Sequence, residues 1–276
     1  MRTNKTIGTC HICGKFGKLS YEHVPPEKAF NSYPGFMHFG DELLRKGEAF
    51  PWEFSTKGKQ MQRGVGFNTL CGKCNSDTGG WYGSSFVDFI YKGYKLIMGI
   101  GGTNTLSTQS KRIINLEDMH PLRITKQIIT MFFSVNSPVF AKAKPDLVKF
   151  VKNKTSKGLS KEKYGIYIYI LKGSVARYLG SIGILTYNQS RVVSEISSPP
   201  FGYVLEMNPK QEFRSQECDI TDFANLYDYN EKANISLTIP VYESNSYFPL
   251  DYRSKQQVFE DYIKNTLDEI EMGGQV

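Results

Sequence analysis

The sequence predicts an α+β protein: an N-terminal zinc-binding module interrupted by an insertion, followed by a mixed α+β domain built on an antiparallel sheet. Three observations predict it. Four of the five cysteines fall into two Cys-x-x-Cys pairs, Cys10/Cys13 and Cys71/Cys74. Apolar residues recur at helical spacing through 81–97 and 122–135. Beyond residue 164 the pattern changes to runs rich in Ile, Val and Tyr, the residue types that suit a pleated, half-buried surface.

Taken in order, residues 1–20 read as a short hairpin around Cys10–Lys15, where Gly14 suits the tight backbone of a metal-binding knuckle. Residues 31–66, rich in aromatics, Gly and charge, read as an insertion with one short helix near 41–46. The spacing of Phe86, Val87, Ile90, Tyr91, Tyr94 and Ile97 predicts a helix over 81–97, ended by Gly99, Gly101 and Gly102. Ile124, Ile128, Met131 and Val135 mark one face of a second helix, with Pro121 in its first turn. Residues 141–163 hold eight lysines and read as an exposed connector. Strands are predicted at 165–171, 175–185, 203–207 and 237–242. A last helix runs from Lys255 to Glu271, opened by a capping box of Ser254 and Gln257, with Val258, Tyr262, Leu267 and Ile270 on its buried stripe. This divides the chain into a zinc module, 1–97, and an α+β domain, 98–276.

With 276 residues, 40% hydrophobic and 22% charged, the chain is long enough for a sizeable core and too apolar for disorder. It has no run of about 18 apolar residues, so no membrane span is expected. The N-terminus lacks a signal-peptide core, and a cytoplasmic address is expected. Charge is lopsided. Residues 1–164 hold 25 Lys+Arg against 12 Asp+Glu, whereas 165–276 hold 9 against 15. Clustered cations attract phosphates, so nucleic acid is the expected partner of the first part. The acidic second part is the candidate for a protein partner.

Two residues between paired thiolates let both reach one ion, so Cys10, Cys13, Cys71 and Cys74 are expected to hold a structural Zn²⁺. Between the pairs lies Ser20-Tyr21-Glu22-His23-Val24-Pro25-Pro26. The order of Cys10-His11-Ile12-Cys13, Glu22-His23-Val24-Pro25 and Cys71-Gly72-Lys73-Cys74-Asn75 resembles the HNH endonuclease family, built on a zinc-supported ββα-metal (treble-clef) core. The resemblance covers roughly the first 85 to 95 residues. It implies Glu22 as acidic ligand of a catalytic Mg²⁺ or Mn²⁺, His23 as the base that activates water, and Asn75 as a second metal ligand or the residue that places the metal. It departs at one position. The asparagine expected nine residues before Asn75 is Gly66, and Asn68 is the nearest substitute.

The chemistry asks for these residue types. Phosphodiester hydrolysis needs a nucleophile made from water, and imidazole titrates near neutrality. It also needs a cation beside the phosphoryl oxygens, which a hard carboxylate oxygen suits. Pro25 and Pro26 end the strand behind the Glu-His pair by removing two amide donors.

Other residues read more plainly. His11 and His38 are expected at the surface, His120 at a helix start, and Cys218 as an unreactive thiol. Asp77 and Thr78 are candidate helix caps. Trp81 is assigned to packing, and Trp52 with Lys57 and Lys59 to stacking on single-stranded nucleic acid. The expected function is a metal-dependent HNH-like endonuclease, on DNA ahead of RNA, with antiviral defence suggested only by analogy of architecture. The alternatives are a non-catalytic zinc module that binds nucleic acid and a zinc-stapled scaffold for protein interaction.

Overall fold

Two short strands, β1 (Ile7–Thr9) and β2 (Phe16–His23), pair antiparallel on either side of the first cysteine knuckle. The knuckle closes as the sequence requires: Gly14 takes a φ of +70° and donates its N–H to the Cys10 carbonyl at 2.9 Å. The computed structural model describes residues 6–38, 58–108, 110–173, 176–186, 189–210, 218–246 and 248–273. The helix expected at 41–46, Trp52 and Lys57 lie outside these residues.

Within the expected insertion, β3 (Gly35–Met37) and β4 (Lys59–Met61) form a small antiparallel ribbon that the sequence reading did not anticipate. Strand β5 (Gly66–Cys71) then pairs antiparallel with β2. It runs directly into helix α1 (Gly72–Thr78), and a π-helical turn over Gly79–Gly83 joins α1 to α2 (Ser84–Gly99). The helix therefore starts before Asp77 and Thr78, which are not caps. Thr78 bonds the Cys74 carbonyl at 2.8 Å and Asp77 pairs with Lys73 at 2.8 Å.

On α2 the inward residues are Phe86, Phe89, Ile90, Gly93 and Ile97. Phe89 stacks on Phe201 with centroids 5.3 Å apart. A Cβ at Gly93 would fall 2.6 Å from the same ring, so only glycine allows this approach. Tyr91 and Tyr94, which share in the spacing that predicts this helix, face outward. They sit beyond the edge of the apolar stripe that the closely packed glycine centres.

Strand β6 (Lys111–Met119) precedes α3 (Pro121–Val135), which starts at its proline as expected. Nearly every residue of α3 is buried, so it is the central helix rather than a surface one. The stretch 141–163 is not a loop. Helices α4 (Pro138–Ala143) and α5 (Pro145–Lys152) occupy much of it, each with proline in its first turn. Leu147, Phe150 and Val151 are buried, and the lysines that hid this pattern face out.

The large sheet has strand order β6-β12-β7-β10-β9-β8, where β7 is Tyr164–Lys172, β8 Arg177–Thr186, β9 Gln189–Ser198, β10 Phe201–Met207 and β12 Ala233–Glu243. A short β11 (Cys218–Asp219) adds to β7, and α6 (Phe223–Leu226) follows it. The expected antiparallel sheet is in fact mixed, because β12 runs parallel to β7 through Val241↔Ile170. One apolar core, from Cys10 and Ile12 through α3 to Ile239 and Val241, spans residues on both sides of position 97.

Helix α7 (Lys255–Gly273) opens with the expected box: Ser254 N–H donates to Gln257 Oε1 at 2.8 Å, and Gln257 N–H to Ser254 Oγ at 3.2 Å. Of its predicted buried stripe, Val258 is half-buried and Tyr262 is 47% exposed, while the side chains of Leu267 and Ile270 lie outside the described ones. Among the described residues no helix is long and apolar enough to cross a membrane.

Candidate functional site

The four cysteines meet. Their sulfurs all lie within 4.8 Å of one another, and Cys13 and Cys71 are 3.8 Å apart. Four thiolates around one tetrahedral metal ion stand about 3.8 Å from each other, so the sulfur set could hold a structural metal. Cys10 and Cys74 are buried, each carried by a different segment: the knuckle after β1 and the first turn of α1. The sulfurs compete for charge. The bond with the Cys74 thiol pulls Cys10 down to about 4, while the same contact with Cys10, together with burial, pushes Cys74 well up. Such a cluster calls for a cation.

Strand β2 sets the Glu-His pair. Adjacent strand residues point to opposite faces, and β2 stays regular through His23, so Glu22 and His23 diverge. Glu22 turns inward, 8% exposed. Its Oε1 accepts from Thr69 Oγ1 at 2.6 Å and from Ser134 Oγ on α3. Thr69 is the extra residue of a bulge, since Ser20 pairs with Leu70 but Tyr21 with Asn68. Burial raises the Glu22 carboxyl to about 7 against the pull of those two hydroxyls.

His23 turns outward beside Tyr21, the rings edge to face with centroids 5.1 Å apart. Its Nε2 lies 2.8 Å from the carbonyl oxygen of Arg63. A carbonyl only accepts, so Nε2 carries the hydrogen and the neutral ring keeps its lone pair on Nδ1. Asn75, on α1, uses its amide nitrogen twice, donating to Ser20 Oγ at 3.1 Å and to the Tyr21 carbonyl at 3.2 Å. No hydrogen bond joins Glu22, His23 and Asn75 to one another among the described residues. Asn68 is exposed, opposite Tyr21 in the pairing.

The sequence reading missed Asn31. Its buried amide donates to the carbonyls of Pro25 at 2.6 Å and Val65 at 2.7 Å, and its Oδ1 accepts the Val65 N–H at 2.7 Å. It thereby ties the turn after His23 to the loop whose Arg63 carbonyl orients that imidazole. Gly64, φ +77°, fits under Asn31 only without a side chain, since a Cβ would come 2.0 Å from the Asn31 carbonyl oxygen. Gly66 is equally constrained, because a Cβ there would meet the Glu22 carbonyl oxygen at 2.3 Å. An asparagine cannot stand at position 66. The signal for Asn31 was present in sequence, an asparagine closing the turn behind two prolines, but its distance from Asn75 gave no reason to look there.

The remaining histidines and thiol are accounted for. His11 is not simply at the surface: its Nδ1 lies 3.1 Å from the Phe133 carbonyl, docking the knuckle on α3. His120 precedes α3 and bonds the Glu231 carbonyl at 2.9 Å. His38 lies close against Gly58. Cys218 is buried, and burial pushes its thiol up to about 12. Trp81 is half-buried and its carbonyl accepts the Tyr229 hydroxyl at 3.0 Å.

No protein-family model, no curated protein and no solved structure matches the chain.

Proposed function

We propose that this chain is a metal-dependent phosphodiesterase of the HNH endonuclease type acting on nucleic acid, DNA ahead of RNA, with zinc as a structural staple. One observation carries the reading: His23 ends β2 on an antiparallel β2–β5 pair that leads straight into α1, and its imidazole is held by Arg63 with Nδ1 available. Nδ1 takes the proton of an attacking water, and the Arg63 carbonyl steadies the imidazolium that results. The loop clamped by Asn31 fixes that carbonyl. The surplus of cations over 1–164 draws the polyanion in.

The residues fit a hard divalent cation by donor chemistry. Both hydrogen bonds of Asn75 come from its nitrogen, and both of those to Glu22 end on Oε1. Asn75 Oδ1 is therefore an oxygen that would hold Mg²⁺ or Mn²⁺, whereas Glu22 would offer Oε2 only by turning away from its buried site on the other face of β2 from His23. Such an ion, when bound, offsets charge on the phosphoryl oxygens.

Incubation of the zinc-loaded protein with plasmid and Mg²⁺ or Mn²⁺ tests the reading. Cleavage is expected, reduced by about 10²- to 10⁴-fold in His23→Ala. Equal activity of the two proteins overturns it. A second reading, a zinc module that binds nucleic acid without cutting it, is favoured by the burial of Glu22 and its commitment to Ser134 and Thr69. Salt-sensitive binding with no cleavage under either metal selects it.

A further inference from the structure

Beyond His23 the chain turns through two prolines and reaches Phe30, whose φ of +62° is a conformation bulky side chains rarely adopt. The surrounding structure must impose it. Its effect is specific: the Phe30 ring is set with its centroid 4.7 Å from both the Tyr91 and the Tyr94 rings, tilted by 41° and 53°. These tyrosines lie one turn apart on α2, so they share a face, and they remain 43% and 38% exposed. The inward stripe of α2 already fills the core without them. Packing alone does not explain two outward tyrosines propped by a strained phenylalanine.

We infer that Phe30, Tyr91 and Tyr94 form a stacking platform for an unpaired base of a single nucleic-acid strand. The inference rests on the nucleic-acid-directed reading above and names its substrate class. Aromatic faces hold any base by stacking, whereas the bases of a duplex are already stacked on one another and cannot lie on them. The charge around the platform suits a phosphate backbone. Lys28 and Lys95 are exposed, Lys28 two residues from Phe30 and Lys95 next to Tyr94. Lys92 pairs with Asp88 at 3.0 Å and donates to the Glu117 carbonyl at 2.9 Å, so Lys28 and Lys95 are the cations offered to a phosphate. A proline-rich peptide would also meet aromatic rings, but it brings no charge to match these lysines. The platform is tied to the candidate base as well. Asn31 follows Phe30 directly and bonds Val65, in the loop whose Arg63 carbonyl holds His23. A base stacked on Phe30 is thus anchored to the segment that positions the imidazole.

Fluorescence anisotropy of the full-length, zinc-loaded protein, without Mg²⁺ or Mn²⁺, tests this with a labelled thymidine oligonucleotide and the same strand annealed to its complement. The single strand is expected to bind about tenfold more tightly or better, and the Tyr91→Ala/Tyr94→Ala double variant to lose about tenfold on the single strand and under about twofold on the duplex. Tyr94→Trp should keep or improve single-strand binding, and zinc content of the double variant should equal that of the wild type. Equal affinity for both forms overturns the inference, as does a double variant that binds the single strand unchanged. Saturable binding of a proline-rich peptide without strand binding overturns it too. Because binding is read without a catalytic ion, failure of cleavage removes only the nuclease reading. Intact cleavage with a neutral double variant removes only the platform.

Discussion

Asn31 and Val65 exchange two hydrogen bonds of 2.7 Å each, amide nitrogen to carbonyl and backbone N–H to amide oxygen. With the third bond, to Pro25, one side chain satisfies three buried backbone groups on both sides of His23. Replacing it leaves the Pro25 carbonyl and the Val65 N–H without this partner, while the Val65 carbonyl keeps the Val24 N–H at 3.0 Å. Asn31→Ala should therefore cost about 1–3 kcal/mol in urea unfolding, and Asn31→Asp should also destabilise, since a carboxylate cannot donate to the two carbonyls. Cleavage should fall in both variants more than unfolding explains, because Arg63 loses its fixed position under His23. Unchanged urea midpoints would remove Asn31 from this role.

The sulfur cluster predicts stoichiometry. Elemental analysis should find one zinc per chain, lost on Cys74→Ser and retained on Cys218→Ser. Removing the ion should destabilise the fold by several kcal/mol, on the order of the larger effects seen for structural zinc. Melting curves with and without a chelator check this, and a chain that melts identically in both would refute the site.

A buried ion pair holds the C-terminal segment to the sheet. Arg177 Nη2 meets Glu195 Oε1 at 2.7 Å, and Arg177 Nη1 donates to the carbonyls of Ser246 at 2.9 Å and Phe248 at 2.5 Å. Glu195 also takes the Tyr169 hydroxyl at 2.5 Å and the Leu250 N–H at 3.0 Å. Arg177→Met leaves a carboxylate buried without its counter-charge, and should cost about 3–5 kcal/mol. Hydrogen exchange should rise over 244–250, where the arginine's carbonyl partners lie. Protection equal to that of the wild type would show that the pair does not hold the strap.

Lys126 gives a pH signature. It is wholly buried, its Nζ bonded to the carbonyls of Phe150 and Asn153 at 2.5 and 2.8 Å and to Ser156 Oγ at 3.0 Å. Burial lowers its ammonium from 10.5 to about 7. Between those values the unfolded chain holds a proton the folded chain has released, so this residue's contribution rises with pH, by up to about 1.4 kcal/mol per unit. The stability difference between wild type and Lys126→Met should shift in favour of the wild type from pH 7 to pH 10. A difference independent of pH would contradict the lowered value.

The elements that the sequence made legible were those whose periodicity and punctuation agree. α3 has apolar spacing and a proline at its start, α7 has its capping box, and β7 is an unbroken apolar run. β9 was invisible because it buries Ser194, Glu195 and Ser197, polar residues whose partners lie on other segments. α5 was hidden because its three inward side chains lie within a stretch, 141–163, that holds eight lysines. At the candidate site, the cysteines were readable because two-residue spacing is dictated by the ion. The Asn31 clamp was not, since its partners are backbone groups and no residue type marks a carbonyl. Gly66 looked like a defect in sequence and is a steric requirement in three dimensions.

The contact between Gly93 and Phe201 settles how portable the front of this chain is. A fragment cut at residue 97 would carry all four clustered sulfurs and His23 away together, but would bare a greasy strip of α2 moulded to a ring it no longer has. Grafted onto another protein, it would need a host surface cast in the same shape, or it would bring its own sheet along.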